Sequence, residues 1–219
     1  KLKKTMNVTA FSDIHMQFSD ELLVEPTDLL VCAGDATHHG KDNELYSFIR
    51  WLGLQPAKYK IFVPGNHDFG CQKNEHMWKT HCKEMNIHLE TNGFLYIEDK
   101  ILFCSAWTPY FYDWAFNGTD ELNGDHKGPN LYDKWKYILD FNIDLLITHG
   151  PARNVLDINR IGEHCGSHVL AHLFNQNHSI KNHVFGHIHD SHGYTFSNNI
   201  HSYNVALDNK YYPQHKFTK

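Results

Sequence analysis

Apolar residues in this chain follow two rhythms. Short continuous runs such as VTAF, LLVCA, IFVP, ILFCSA, LLIT and HVF are separated by stretches where apolar positions recur at helical spacing. Continuous runs suit strands covered on both faces. They predict strands at Asn7–Phe11, Asp28–Ala33, Lys60–Pro64, Phe94–Ile97, Ile101–Ala106, Asp144–Thr148, Asn182–Phe185 and Ile200–Asn204. Helical spacing aligns Leu45, Phe48, Ile49 and Leu52, then Leu131, Trp135, Ile138 and Leu139, then Val169, Leu170, Leu173 and Phe174. Alternation of strands and helices in the first half predicts right-handed crossovers. The strand-rich remainder predicts a second sheet, giving two mixed sheets packed face to face with helices outside. The segment from Pro109 to Asn130 has no period and carries Gly118, Gly124, Gly128 and Pro129. A loop of that length in a compact domain points to function.

The length, 219 residues, suits one α/β domain over residues 1–219, and 41% hydrophobic content excludes a disordered chain. No apolar run reaches the length of a membrane span. The start, KLKKTMNVTAF, lacks the apolar region and cleavage site of a signal peptide. Five cysteines, an odd number without a CxxC pair, argue against a disulfide framework and for a reducing cytoplasm. A net charge of -5 without a basic stripe argues against long nucleic acid as partner. A small phosphate ester stays compatible, because bound cations would supply positive charge locally.

The chemistry sits where the runs end. Asp13-Ile14-His15, Gly34-Asp35, Gly65-Asn66-His67-Asp68, His149-Gly150 and Gly186-His187-Ile188-His189 each follow an expected strand. Open α/β sheets place ligand sites there. The chain has 19 histidines, and these clusters select among them. In extended backbone, residues two apart share a face, so Asp13 with His15 and His187 with His189 can each converge on one ion. Asp35 can bridge two cations, or else cap the next segment. Asn66 can offer its amide oxygen to a metal, His67 is free to meet substrate, and Asp68 can accept from the other ring nitrogen and fix the tautomer. The plainer alternative for Pro64-Gly65-Asn66 is a turn. Carboxylate, imidazole and amide ligands in this order point to metal-assisted hydrolysis of a phosphate ester.

The series DIH, GD, GNHD, HG and GHIH resembles the calcineurin-like metallophosphoesterase superfamily. The stretches WLGLQPAKYKIFVPGNHD, SAWTPYFYDWAFN, LLITHGPARNVLD and HVFGHIHD resemble its small metallophosphoesterase-domain-containing (MPPED-type) branch more specifically. The resemblance runs from Asp13 to His189. It implies a four-layer αββα sandwich and a dinuclear site. One ion would be held by Asp13, His15, Asp35 and His189, the other by Asp35, Asn66, His149 and His187. His67 would contact the phosphate and leaving group, oriented by Asp68. Many relatives of this branch read GNHE where this chain reads GNHD. The implied mechanism is in-line attack by a metal-bound hydroxide.

Oxygen and nitrogen ligands without thiolate suit two divalent ions, Mn²⁺ first, with Fe, Zn²⁺ or Mg²⁺ as alternatives. Trp107, Tyr110, Phe111, Tyr112, Trp114 and Phe116 crowd the long loop, either as core or as a stacking surface for a nucleobase. Trp107, His38, His39 and Arg153 are the candidate substrate contacts. The branch is associated with phosphodiesterase activity, so a small phosphodiester such as a cyclic nucleotide is the expected substrate. A phosphomonoesterase, a nuclease and a catalytically silent metal-loaded binding protein are the competing readings.

Overall fold

The computed structural model describes residues 5–18, 24–120, 128–177, 179–207 and 215–218. The basic first four residues and Gly124 of the long loop lie outside the described residues.

One sheet contains β1 (Asn7–Phe11), β2 (Thr27–Cys32), β3 (Ala57–Phe62), β4 (His88–Leu89) and, at its edge, β13 (His215–Thr218), in the order β13-β1-β2-β3-β4. Its strands are parallel except for β13. The other sheet has the order β11-β12-β10-β9-β6-β5, from β5 (Asn92–Ile97), β6 (Lys100–Ser105), β9 (Leu145–Thr148), β10 (Asn182–Phe185), β11 (Gly193–Ser197) and β12 (Ile200–Asn204). Here β6, β9, β10 and β12 run parallel, and hairpins add β5 and β11 antiparallel.

The continuous apolar runs are explained by what covers each face. Ala10, Val31 and Ile61 pack in one cluster with Leu102, Cys104, Leu145, Ile147 and Val184, joining the two sheets. On the outer side of the first sheet, Phe62 meets Phe48 of α1 (Asp42–Gly53) with ring centroids 4.9 Å apart, and Phe11 meets Trp51 at 5.8 Å. A short α2 (Phe69–Lys73) and α3 (Glu75–Glu84) complete that layer. On the outer side of the second sheet, Phe103 and Leu146 pack under α4 (Leu131–Trp135) and α5 (His168–Gln176). Helices, sheet, sheet and helices make the four layers of the expected sandwich.

Several local expectations change. The second helical pattern ends early: beyond Trp135 the chain tightens into a 3₁₀ turn, Lys136–Asp140. The Asn177 side chain caps that turn by donating to the Ile138 carbonyl. The long loop carries its own pairing, β7 (Thr108–Pro109) with β8 (Asn117–Gly118). Helix α3 escapes the apolar pattern because only Trp78 and Cys82 of its residues are buried.

Candidate metal centre

All five polar clusters lie beyond the carboxyl ends of β1, β2, β3, β9 and β10, so both sheets contribute. Backbone hydrogen bonds zip the first two loops together: Asp13 N–H donates to the Gly34 carbonyl at 2.9 Å, His15 N–H to Asp35 at 3.1 Å and Met16 N–H to Ala36 at 2.9 Å. The extended backbone expected for the Asp-x-His and His-x-His pairs is not what brings them together. Asp13 has φ 55°, His15 φ 40°, Asp35 φ 51° and His187 φ 70°, all left-handed. Such residues cost about 1–2 kcal/mol each. They cluster here because the loops must turn sharply to aim several side chains at one point. Gly34 (φ 104°) is required for the same reason: a Cβ there would stand 2.2 Å from His149 Nδ1.

Among the described residues, three trios bring ligand atoms within 4.8 Å of one another: Asp13, His15 and His189; Asp35, His149 and His187; and, between them, His15, Asp35 and His67. Asn66 joins the second, its Oδ1 lying 2.9 Å from His149 Nε2. Asp35 Oδ2 is 3.4 Å from the same nitrogen, and His189 Nε2 is 3.1 Å from Asp13 Oδ1. Orientation follows from the outer hydrogen bonds. A carbonyl only accepts, so His149 Nδ1–H donates to Ala33 at 2.9 Å and His15 Nδ1–H to Thr37 at 3.2 Å. Each Nε2 is left to face the cluster. His149 Nε2 then meets an amide oxygen and a carboxylate oxygen together, which demands a proton or a cation between them.

The electrostatics agree. Burial opposes ionisation of Asp35, but the charge and hydrogen bond of His149 outweigh it and hold the carboxyl below its ordinary range. Burial likewise opposes Asp13, outweighed by its bond to His189 and the charge of His149. Burial lowers His149, but the charge and hydrogen bond of Asp35, the charge of Asp13 and the Ala33 carbonyl together outweigh it and leave it at about 9. His187 is driven by burial, with His149 adding, to about 4. One imidazolium balances two carboxylates, the position a divalent cation would take. The donor set fits hard or borderline divalent ions, with Asp13, His15 and His189 on one side, Asn66, His149 and His187 on the other, and Asp35 between.

His67 stands over this bridge. Its N–H donates to Asp35 Oδ1 at 2.8 Å, its Nε2 lies 3.9 Å from Asp35 Oδ2, and its side chain is 25% exposed. Asp68 does not orient it. The ring nitrogen Nδ1–H donates instead to the His38 carbonyl at 2.8 Å. The Asp68 carboxylate is buried and accepts from Gly65 N–H (2.8 Å), Thr37 N–H (3.1 Å), Ala36 N–H (3.3 Å) and the Thr37 hydroxyl (2.7 Å). It ties the β2 loop to the β3 loop, and burial with Asp35 nearby pushes it up to about 6.

A chain with this geometry is matched by the family model for calcineurin-like phosphoesterases over residues 6–191. It belongs to the calcineurin-like phosphoesterase family. Among curated relatives, Metallophosphoesterase domain-containing protein 1 of Homo sapiens is 29% identical over 204 residues, covering 83% of this chain and 60% of the relative. A UPF0046 protein of Caenorhabditis elegans, T07D4.2, is also 29% identical, covering 83% and 50%. The chain therefore spans half to three fifths of the length of these relatives. The crystal structure of a phosphopantetheinyl hydrolase from Mycobacterium tuberculosis shares the fold, with TM-score 0.62 at 19% identity over 91% of this chain and 88% of that one.

The candidate substrate contacts fare differently in this family member. His38 and His39 are exposed, and the His38 ring stacks 6.2 Å from His15, but its useful atom is the carbonyl under His67. Trp107 packs edge-on to Phe116 at 5.8 Å beneath the Lys134 ammonium, 3.8 Å from its ring. Trp114 takes that place, its ring 4.2 Å from His67 and 5.8 Å from Phe69. Arg153 donates to the His164 carbonyl at 2.7 Å and so closes its own loop. Among the described residues, no helix is long and apolar enough to cross a membrane.

Proposed function

We propose that this chain is a dinuclear metal-dependent phosphodiesterase acting on small phosphodiesters such as cyclic nucleotides. The observation that carries the reading is Asp35: one buried carboxylate lies between two sets of nitrogen and oxygen donors, with His67 directly over it. Two divalent ions held there, with Mn²⁺ the first choice, would neutralise phosphoryl oxygens and lower the pKa of water in the site. The protein's own part is positioning and proton transfer. Asp13, His15 and His189 hold one side, and Asn66, His149 and His187 the other. His67 is fixed by the His38 carbonyl, so Nε2 points to the reacting phosphate and can give a proton to the leaving oxygen. The Asp35 carboxylate balances the charge of His67 while that proton is present. Five free cysteines, four of them buried, support a reducing compartment, and we place the protein in the cytoplasm.

The test is hydrolysis of bis-p-nitrophenyl phosphate beside p-nitrophenyl phosphate, with added Mn²⁺ and after chelation. Metal-dependent cleavage favouring the diester is expected, followed by assay of cyclic nucleotides. Faster monoester cleavage would replace the reading with a phosphomonoesterase. Two bound ions with neither ester cleaved would replace it with a metal-loaded binding protein.

A further inference from the structure

The loop between β7 and β8 is built more firmly than a connection requires. Thr108 N–H donates to the Phe116 carbonyl at 3.0 Å and Tyr110 N–H to Gly118 at 3.0 Å. The Asn117 amide clamps the tip, donating to the carbonyls of Tyr112 (2.7 Å) and Phe111 (3.3 Å) and accepting from Phe111 N–H at 3.4 Å. The Tyr110 hydroxyl donates to Asp113 at 3.1 Å. Within this frame Tyr112 is held at φ 49°, a left-handed conformation that bulky residues avoid. What the frame presents to solvent is aromatic: Phe111 is 58% exposed and Tyr112 72%, their rings edge to face at 4.5 Å. An exposed, clamped aromatic pair, one member of it, Tyr112, at positive φ, costs stability for no packing return, which points to a functional surface.

Its place gives it a use. Two residues beyond Tyr112, Trp114 lies on His67, and Ala115 N–H donates to the Asn66 carbonyl at 3.1 Å. The loop is thereby joined to the candidate ligand Asn66 and to the proton donor together. His67 faces the leaving oxygen, on the reading proposed above, so Trp114 on its ring stands beside the organic group of the ester, with Phe111 and Tyr112 carried on the same clamped loop.

We propose that Phe111, Tyr112 and Trp114 form a subsite for a planar aromatic group of the phosphate ester, and that Trp114 also holds the His67 ring in place. An aryl group or a nucleobase fits this chemistry; an alkyl or polyol group gains nothing from it. Stacking on such a ledge favours an aromatic ligand by about ten-fold.

The experiment compares binding of phenylphosphonate and methylphosphonate to the Mn²⁺-loaded protein by calorimetry. Neither probe is hydrolysed, so the readout is affinity alone. Wild type is expected to prefer the phenyl compound by about ten-fold. The exposed pair Phe111→Ala/Tyr112→Ala is expected to lose that preference while methylphosphonate affinity moves less than two-fold, and Tyr112→Phe is expected to retain it. Equal affinity for both probes in wild type would overturn the proposal, as would a phenyl preference that survives the double substitution. If neither phosphonate binds the loaded protein, the phosphoesterase reading itself fails and the subsite with it.

Discussion

Replacing Asp68 by asparagine separates two roles for this carboxylate, a staple between loops or an orienting partner of His67. In the structure Oδ1 accepts from the N–H and hydroxyl of Thr37, and Oδ2 from Gly65 and Ala36 N–H. An asparagine keeps one oxygen. It will turn that oxygen to Gly65 and Ala36, because on the other side the Thr37 hydroxyl can reverse and accept. One buried N–H, that of Thr37, is then orphaned, at about 1–3 kcal/mol. The remaining bonds lose charge assistance, while the burial penalty that raises Asp68 to about 6 is relieved. The net loss is about 2–4 kcal/mol. Urea unfolding at pH 8 in chelator measures it without metal linkage. Turnover of aryl esters with leaving groups of graded acidity supplies the second readout, and its slope is expected to be unchanged, because Asp68 does not touch the His67 ring. A variant within about 0.5 kcal/mol of wild type, with a steeper leaving-group dependence, would refute the staple.

His67→Ala should keep both ions by elemental analysis and lower kcat about 10²–10⁴-fold; undiminished turnover would remove His67 from proton transfer. Asp35→Ala should lose both ions together, and retention of two would sink the bridge. His183 is buried against Phe174 and Phe185, and its Nε2–H donates to Thr148, whose own hydroxyl donates to Gly150, leaving Nδ1 without a partner among the described residues. Burial lowers it to about 3. Its folded pKa lies below the unfolded one, so the unfolded chain binds the extra proton. The contribution is fully present above about pH 6.5 and is lost as pH falls toward 3, by up to several kcal/mol. His183→Leu should therefore grow more stable relative to wild type across that window, and a stability difference independent of pH would contradict the assignment.

The strands were legible because they are covered on both faces: LLVC and LLIT admit no other reading once Phe48 and Leu170 supply the outer layers. Strand β11 was not legible. It is an exposed edge, and its signal lies in Asn198-Asn199, both at positive φ, which close a two-residue hairpin between Ser197 and Ile200. The ligand set could be read from residue types after strands, but how it converges could not. Extended backbone would align residues two apart, whereas left-handed turns place these side chains. The partners of Asp68 and His67 were hidden for a general reason. Three of the four donors to Asp68 are backbone N–H groups, and the acceptor for His67 is a backbone carbonyl, groups that every residue carries. Trp114 rather than Trp107 meets His67 because the loop returns on itself through the β7–β8 pairing, a contact no local period encodes.

The strain and the charge in the centre point the same way. Four candidate ligands sit at positive φ, together costing about 4–8 kcal/mol, against a net stability of about 5–15 kcal/mol for a domain. Two buried carboxylates, Asp13 and Asp35, add mutual repulsion that His149 offsets only by holding a proton. A fold optimised for stability would replace these turns with Asn or Gly and these acids with apolar side chains. The β1 and β2 loops instead fix the costly conformations with three backbone hydrogen bonds. A cation between the trios would remove the repulsion and free His149 of its proton, turning each strained residue into a ligand. The centre is thus destabilising by itself, and a bound cation would relieve it.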